Sequence, residues 1–166
     1  EKLWRDQWAP DIKERGIPMS EGAADPLGQL TNSGHTAQMI SENLPDDRVS
    51  IENGSIICVC KRWPLIIDPQ MQGIKWIRNK EASNNLNVFQ LSNKRALRNV
   101  EQALINGYTI LIENIGEEID ATLDPVIGRA IYKKGRNFFL KLAGEEVEYD
   151  PNFKLYLQTK LQNPHY

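Results

Sequence analysis

Arg62-Trp-Pro-Leu-Ile-Ile-Asp-Pro-Gln-Met-Gln-Gly-Ile-Lys75 is the run from which the rest of the chain is read. Leu65-Ile66-Ile67 is continuously apolar rather than alternating, the pattern of a strand covered on both faces in a parallel sheet. Asp68-Pro69 stops it, because proline has no N–H to give to a sheet ladder and its fixed φ can start a turn. Gly73 and the apolar Ile74 and Ile77 then open a helix. Strand, loop and helix in that order form the layout of a phosphate-binding P-loop.

In a working loop of the form G-x-x-x-x-G-K-[ST], backbone N–H groups cradle phosphates, the lysine reaches the terminal phosphates and the hydroxyl holds Mg²⁺. The frame here runs from Asp68 through Pro69, Gln70 and Gly73 to Ile74 and Lys75. The step from Asp68 to Gly73 is kept, but a carboxylate replaces the first glycine, Ile74 the lysine and Lys75 the hydroxyl residue. The expectation is a nucleotide-binding architecture that has lost its chemistry. Asp68 is expected to fold back onto the N–H groups of its own turn, where an acid repels phosphate.

Working outward, residues 1 to 19 suggest a helix end and an irregular arm, with Trp4 and Trp8 as packing anchors. Ser20 to Thr36 has loop composition, with Leu27 and Leu30 its large apolar residues and His35 exposed. Ala37 to Asn43 predicts a short helix carrying Met39 and Ile40. Asp46 or Asp47 can cap a helix over Val49 to Ile57, fraying near Cys58, although Ser55 to Cys60 also suits a strand.

Strand Trp63 to Ile67 and helix Met71 to Ala82 follow, the helix turning Ile74, Ile77 and Trp76 inward. Leu86 to Leu91 is the second strand. Lys94 to Asn106 carries an apolar stripe at Ala96, Leu97, Val100, Ala103 and Leu104 and ends at Gly107, as a helix should. Tyr108 to Ile112 is a third, central strand, and Asp120 to Val126 a short helix. Asn137 to Leu142 and Glu145 to Tyr149, joined by Ala143-Gly144, form a hairpin before the fourth strand, Phe153 to Thr159. Repeated strand-helix steps imply a doubly covered parallel sheet.

The end of the third strand offers a second test. Enzymes of this layout place there an apolar run, an aspartate for Mg²⁺ and often a glutamate that orients water. The run here is Ile110-Leu-Ile-Glu113-Asn114. Glu113 can still bind a metal through water, but the amide of Asn114 has no useful basicity. The plainer reading of Glu113 and Asn114 is as strand-end caps bonded to local backbone. Thr159, ending the fourth strand, occupies the place of a polar sensor residue.

Composition narrows the rest. With 166 residues, 40% hydrophobic and 25% charged, the chain suits one domain with a full core. No run approaches the ~18 apolar residues of a membrane span, and no apolar leader block opens the sequence. Twenty basic and twenty-two acidic residues, interspersed to a net charge of −2, give no nucleic-acid footprint. Cys58 and Cys60, without other cysteines or a nearby histidine, are expected to be reduced, mostly buried thiols.

Six stretches together closely resemble the fifth AAA+ module of dynein heavy chains: Asn43-Leu-Pro-Asp-Asp-Arg-Val-Ser-Ile-Glu-Asn53, Arg62 to Ile77, Ile112-Glu-Asn-Ile-Gly116, Leu123-Asp-Pro-Val-Ile-Gly-Arg129, Lys133-Lys-Gly-Arg136 and Gln158-Thr-Lys-Leu-Gln-Asn-Pro-His-Tyr166. Ile17-Pro-Met-Ser-Glu-Gly22 and Asp25-Pro-Leu27 look more like axonemal than cytoplasmic forms. The resemblance implies an α/β three-layer sandwich of the AAA+, P-loop NTPase type. An arm at 1–45 would precede a large subdomain at 46–166 that stops before a fifth strand and helical lid. It further implies a structural module that does not hydrolyse ATP and needs no cofactor, ATP and Mg²⁺ acting in other modules of the ring. The alternative is a module that still binds or hydrolyses ATP, with Lys75 swinging in and Glu113 carrying Mg²⁺. Implied partners are neighbouring modules, the stalk and its strut, and microtubules only through the parent protein, in the cytoskeleton of a cilium or flagellum; neither nucleic acid nor membrane is implied. Arg129 and Arg136 are expected to flank the hairpin or meet other modules, and His165 has no identified partner.

Overall fold

A computed structural model describes residues 3–17, 32–93 and 95–164. The arm from Pro18 to Leu30, with Leu27, and His165 lie outside the described residues. A π-helical turn at Trp4–Trp8 leads into α1 (Ala9–Glu14), and Trp8 is 56% exposed rather than a packing anchor. α2 (Ser33–Ser41) starts earlier than its periodicity suggests, because the Asn32 side chain accepts from His35 N at 2.9 Å and caps it. His35 is exposed as expected, but on a helix.

Asp47 accepts from Ser50 N at 3.0 Å and caps α3 (Arg48–Val59), so the helix prevails over the strand reading of Ser55 to Cys60. Its inward face is Gly54 and Ser55, while Val49 and Ile56 face outward. A Cβ on Gly54 would lie 2.9 Å from both Leu44 Cδ2 and Met39 Sδ, so a larger residue there would push both side chains aside. Cys58 and Cys60 are exposed, contrary to expectation, where α3 runs past that packed segment to its last turn and C-cap.

The remaining elements are β1 (Leu65–Ile67), α4 (Gln72–Lys80), a 3₁₀ turn at Ala82–Asn84, β2 (Asn87–Phe89), α5 (Ala96–Asn106) and β3 (Thr109–Ile112). A 3₁₀ turn at Ala121–Leu123 then precedes α6 (Asp124–Ile127), β4 (Tyr132–Lys134), β5 (Asn137–Leu142), β6 (Glu145–Tyr149) and β7 (Lys154–Thr159). Four strands form a parallel sheet in the order β1-β7-β3-β2. The expected hairpin is β5–β6, and β4, which the sequence reading did not anticipate, widens it into a separate antiparallel sheet.

Side chains alternate across the parallel sheet into two cores. Ile110, Ile112, Leu155 and Leu157 face Val100, Ala103 and Leu104 of α5 together with Leu140 and Val147 of the antiparallel sheet. Leu111 and Tyr156 face Ile74, Trp76 and Ile77 of α4, with Met39 and Leu44 behind them. The result is three layers with β3 covered on both faces, and each fully buried large aliphatic side chain is worth roughly 1.5–3 kcal/mol. β1 is different. It pairs only with β7 and leaves Leu65 and Ile67 39% and 50% exposed, so it is an edge strand and not the doubly covered one that its apolar run suggests.

At the amino ends of the strands, Glu81 is buried and its Oε1 accepts from Tyr156 Oη at 2.7 Å, with Lys154 Nζ 3.5 Å away. Burial pushes the Glu81 carboxyl up, but bonds from Asn84 and Tyr156 and the Lys154 charge outweigh it and hold the group below its ordinary value. Burial and the same bond push the Tyr156 phenol above its ordinary value.

Candidate nucleotide site at the carboxyl ends of the strands

Parallel α/β sheets present their carboxyl ends to ligands, and the turn from β1 to α4 lies there. A helix opening carries N–H groups without intrahelical partners and the positive end of a dipole, and so attracts an anion. In this chain the anion is Asp68. Its Oδ1 accepts from Gln72 N at 3.0 Å and its Oδ2 from Ile74 N at 3.1 Å, so the carboxylate folds back onto its own turn as the sequence suggested. Asp68 is 7% exposed. A buried charge of this kind is tolerable only because the N–H groups bind it.

The other loop positions follow from that contact. Met71 takes φ 60°, a left-handed conformation that a side-chain-bearing residue rarely adopts, to bring the carboxylate under α4. A Cβ on Gly73 would meet Asp68 Oδ2 and Ile66 Cγ2, both at 3.3 Å, so glycine suits the close approach. Ile74 is buried in the core, whereas Pro69, Gln70 and Lys75 are exposed.

At the end of β3, Glu113 N donates to Phe89 O at 3.0 Å and continues the ladder to β2. The Glu113 carboxylate pairs with the Arg78 guanidinium on α4, a contact across elements where the sequence suggested local backbone. Asn114 takes φ 54°, and its N–H donates to Gln158 Oε1 at 2.7 Å. Thr159 is fully buried, its Oγ1 donating to Ile115 O at 2.8 Å and accepting from Leu161 N at 3.2 Å.

Gln158 is the residue that sequence reasoning missed. Fully buried, it donates Nε2 to Asp68 O at 3.2 Å while Oε1 holds Asn114 N, so one amide clamps both site turns. The alternation along β7 places Tyr156 and Gln158 on one face, and their polarity disguised that face as solvent-facing.

Residues 37–166 match the family described as the ATP-binding dynein motor region. The chain belongs to that dynein family. It is 50% identical over 161 residues, 97% of its length, to the dynein beta chain of the flagellar outer arm of Chlamydomonas reinhardtii. It is likewise 50% identical over 167 residues, 99% of its length, to dynein axonemal heavy chain 17 of Mus musculus. The dynein alpha chain of the Chlamydomonas reinhardtii outer arm is 46% identical over 161 residues. The chain spans about 4% of the length of these relatives.

The description of this dynein family makes ATP the ligand to set against these residues, and the groups that would meet it are already engaged within the chain. The cradle N–H groups of Gln72 and Ile74 already hold Asp68, and Ile74 puts a core side chain where a phosphate-reaching lysine is needed. Glu113 is engaged by Arg78, and the Thr159 hydroxyl is spent on backbone. Arg129 stacks its guanidinium 3.6 Å over the Trp63 ring within the chain. Among the described residues no group of three or more His, Cys, Asp or Glu is placed to hold a metal, and no helix is long and apolar enough to cross a membrane.

Proposed function

We propose that this chain is the large subdomain, at residues 46–166, of the fifth AAA+ module in an axonemal dynein heavy chain, and that it serves the motor ring as a structural part without binding or hydrolysing ATP. The observation that carries this reading is the Asp68 carboxylate lying in the N–H cradle that a phosphate would need. The Glu113–Arg78 pair and the Gln158 clamp support it, since they turn the rest of the site into rigid joinery. The flagellar and axonemal relatives favour a place in the cytoskeleton of a cilium or flagellum.

In this role the module transmits rigid-body motion between neighbouring AAA+ modules and the stalk with its strut, and meets microtubules only through the parent protein. The uncovered Leu65 and Ile67 of β1 mark the sheet edge where a fifth strand would pair. The family description, ATP-binding, favours the alternative of a module that still binds nucleotide. Calorimetric titration of Mg-ATP into the folded chain separates the two, and an ATPase assay tests the loss of hydrolysis. Asp68→Gly with Ile74→Lys and Lys75→Thr rebuilds the loop, yet no turnover above background is expected, because the amide of Asn114 supplies no base. Sustained hydrolysis by the triple variant would overturn the structural reading.

A further inference from the structure

The opposite end of the sheet holds a cleft of ≈ 310 Å³ where β1 and β7 begin. Arg62, Lys80, Arg129 and Lys154 line it, and no carboxylate does. Since the whole chain carries a net charge of −2, this is a local surplus of positive charge. Lys154 reaches the buried Glu81, whereas among the described residues Arg62, Lys80 and Arg129 have no carboxylate partner. One of the cations is fixed in place: Arg129 lies 3.6 Å over Trp63, whose Nε1 donates to Val126 O at 2.9 Å and whose ring meets Phe153 edge-on at 5.6 Å. A stacked guanidinium keeps its rim of N–H groups free for a planar acceptor such as a carboxylate.

We propose that this cleft docks an acidic protein segment, with carboxylates on the four cations and an apolar side chain against the half-buried Trp63 and Pro64. Charge complementarity selects the acid, and the aromatic and proline lining favours a peptide over a fully hydrated free anion. The surface lies at the amino ends of the strands, away from the Asp68 turn, and therefore stands whether or not nucleotide binds there.

Zero-length carbodiimide coupling tests the proposal in the motor region that carries this chain, with an octapeptide of alternating Glu and Leu added. Lys80 or Lys154 should become joined to the peptide, or to an acidic segment outside residues 1–166, as read by mass spectrometry. Reversing charge in Arg62→Glu with Arg129→Glu should cut that yield about tenfold. Arg62→Gln with Arg129→Gln, at unchanged melting temperature, should give an intermediate yield and exclude misfolding as the cause. Coupling to Glu81 alone, a yield indifferent to both double variants, or equal suppression by tripolyphosphate at the peptide's concentration would each overturn it.

Discussion

The two ends of the parallel sheet each bury a carboxylate, and they neutralise it by different means. At the carboxyl end, Asp68 is held by the backbone N–H groups of Gln72 and Ile74 and by the dipole of α4. At the amino end, Glu81 is held by side chains, the Tyr156 hydroxyl, Asn84 and Lys154. The first arrangement consumes an anion site, because the donors that would serve a ligand are already bonded. The second leaves one open, because a single buried acid sits beside four cations lining a cleft. On the proposed reading, a phosphate-binding layout keeps its shape while its own carboxylate fills the cradle, and the cations gather at the end where the layout does not predict a site.

The largest expected effect follows from removing the side-chain-held acid. Glu81→Ala leaves the buried Tyr156 hydroxyl without its acceptor and should cost about 3 kcal/mol, lowering the melting temperature by roughly 6–12 °C for a chain of this size. A calorimetric melt reads this directly, and a loss below about 2 °C would put the weight of the amino end elsewhere.

Asp68→Ala should cost less, about 2 kcal/mol, since water can reach part of the turn while the buried Ile74 N–H goes unmet. Because the emptied cradle is a helix N-terminus, added sulfate should restore more of the Asp68→Ala loss than of the Glu81→Ala loss, each measured against the general gain of the parent chain in the same salt. Equal responses to sulfate in the two variants would erase the contrast between the ends.

The smallest effect is in pH dependence. Glu81 is depressed in the folded chain, so its contribution is complete above the unfolded value near 4.5 and is lost as pH falls through its lower folded value. Glu81→Gln keeps the shape and should cost about 1 kcal/mol. Its deficit in melting temperature should hold steady between about pH 7 and pH 5 and narrow below about pH 4.5. A deficit that widens in acid would contradict the assignment of charge to Glu81.

Much of this was legible in the sequence. The stripe from Ala96 to Leu104 specified α5, the continuous run at Tyr108 to Ile112 specified a strand covered on both faces, and Ala143-Gly144 marked the hairpin. The P-loop frame located the candidate site, and the carboxylate at 68 was legible as folding back onto its own turn, where it accepts from Gln72 N and Ile74 N. Where the reading failed, the information was not local. Three apolar residues look the same in an edge strand as in a central one, so Leu65 to Ile67 concealed the exposure of β1. Two lysines in Tyr132-Lys-Lys134 hid a strand that forms because β5 offers a partner. Gln158 reads as solvent-facing until β1 and β3 enclose it, and its clamp depends on two turns about 90 and 44 residues away. The exposed thiols of Cys58 and Cys60 depend on where packing around Gly54 ends, which no residue type announces.

Calorimetric titration of Mg-ATP into the folded chain tests the closed cradle most directly. With Asp68 in place, no saturable heat is expected up to about 1 mM nucleotide, an affinity weaker than about −4 kcal/mol. A micromolar dissociation constant would contradict the account, for it would require phosphate to displace Asp68 from the N–H groups of Gln72 and Ile74.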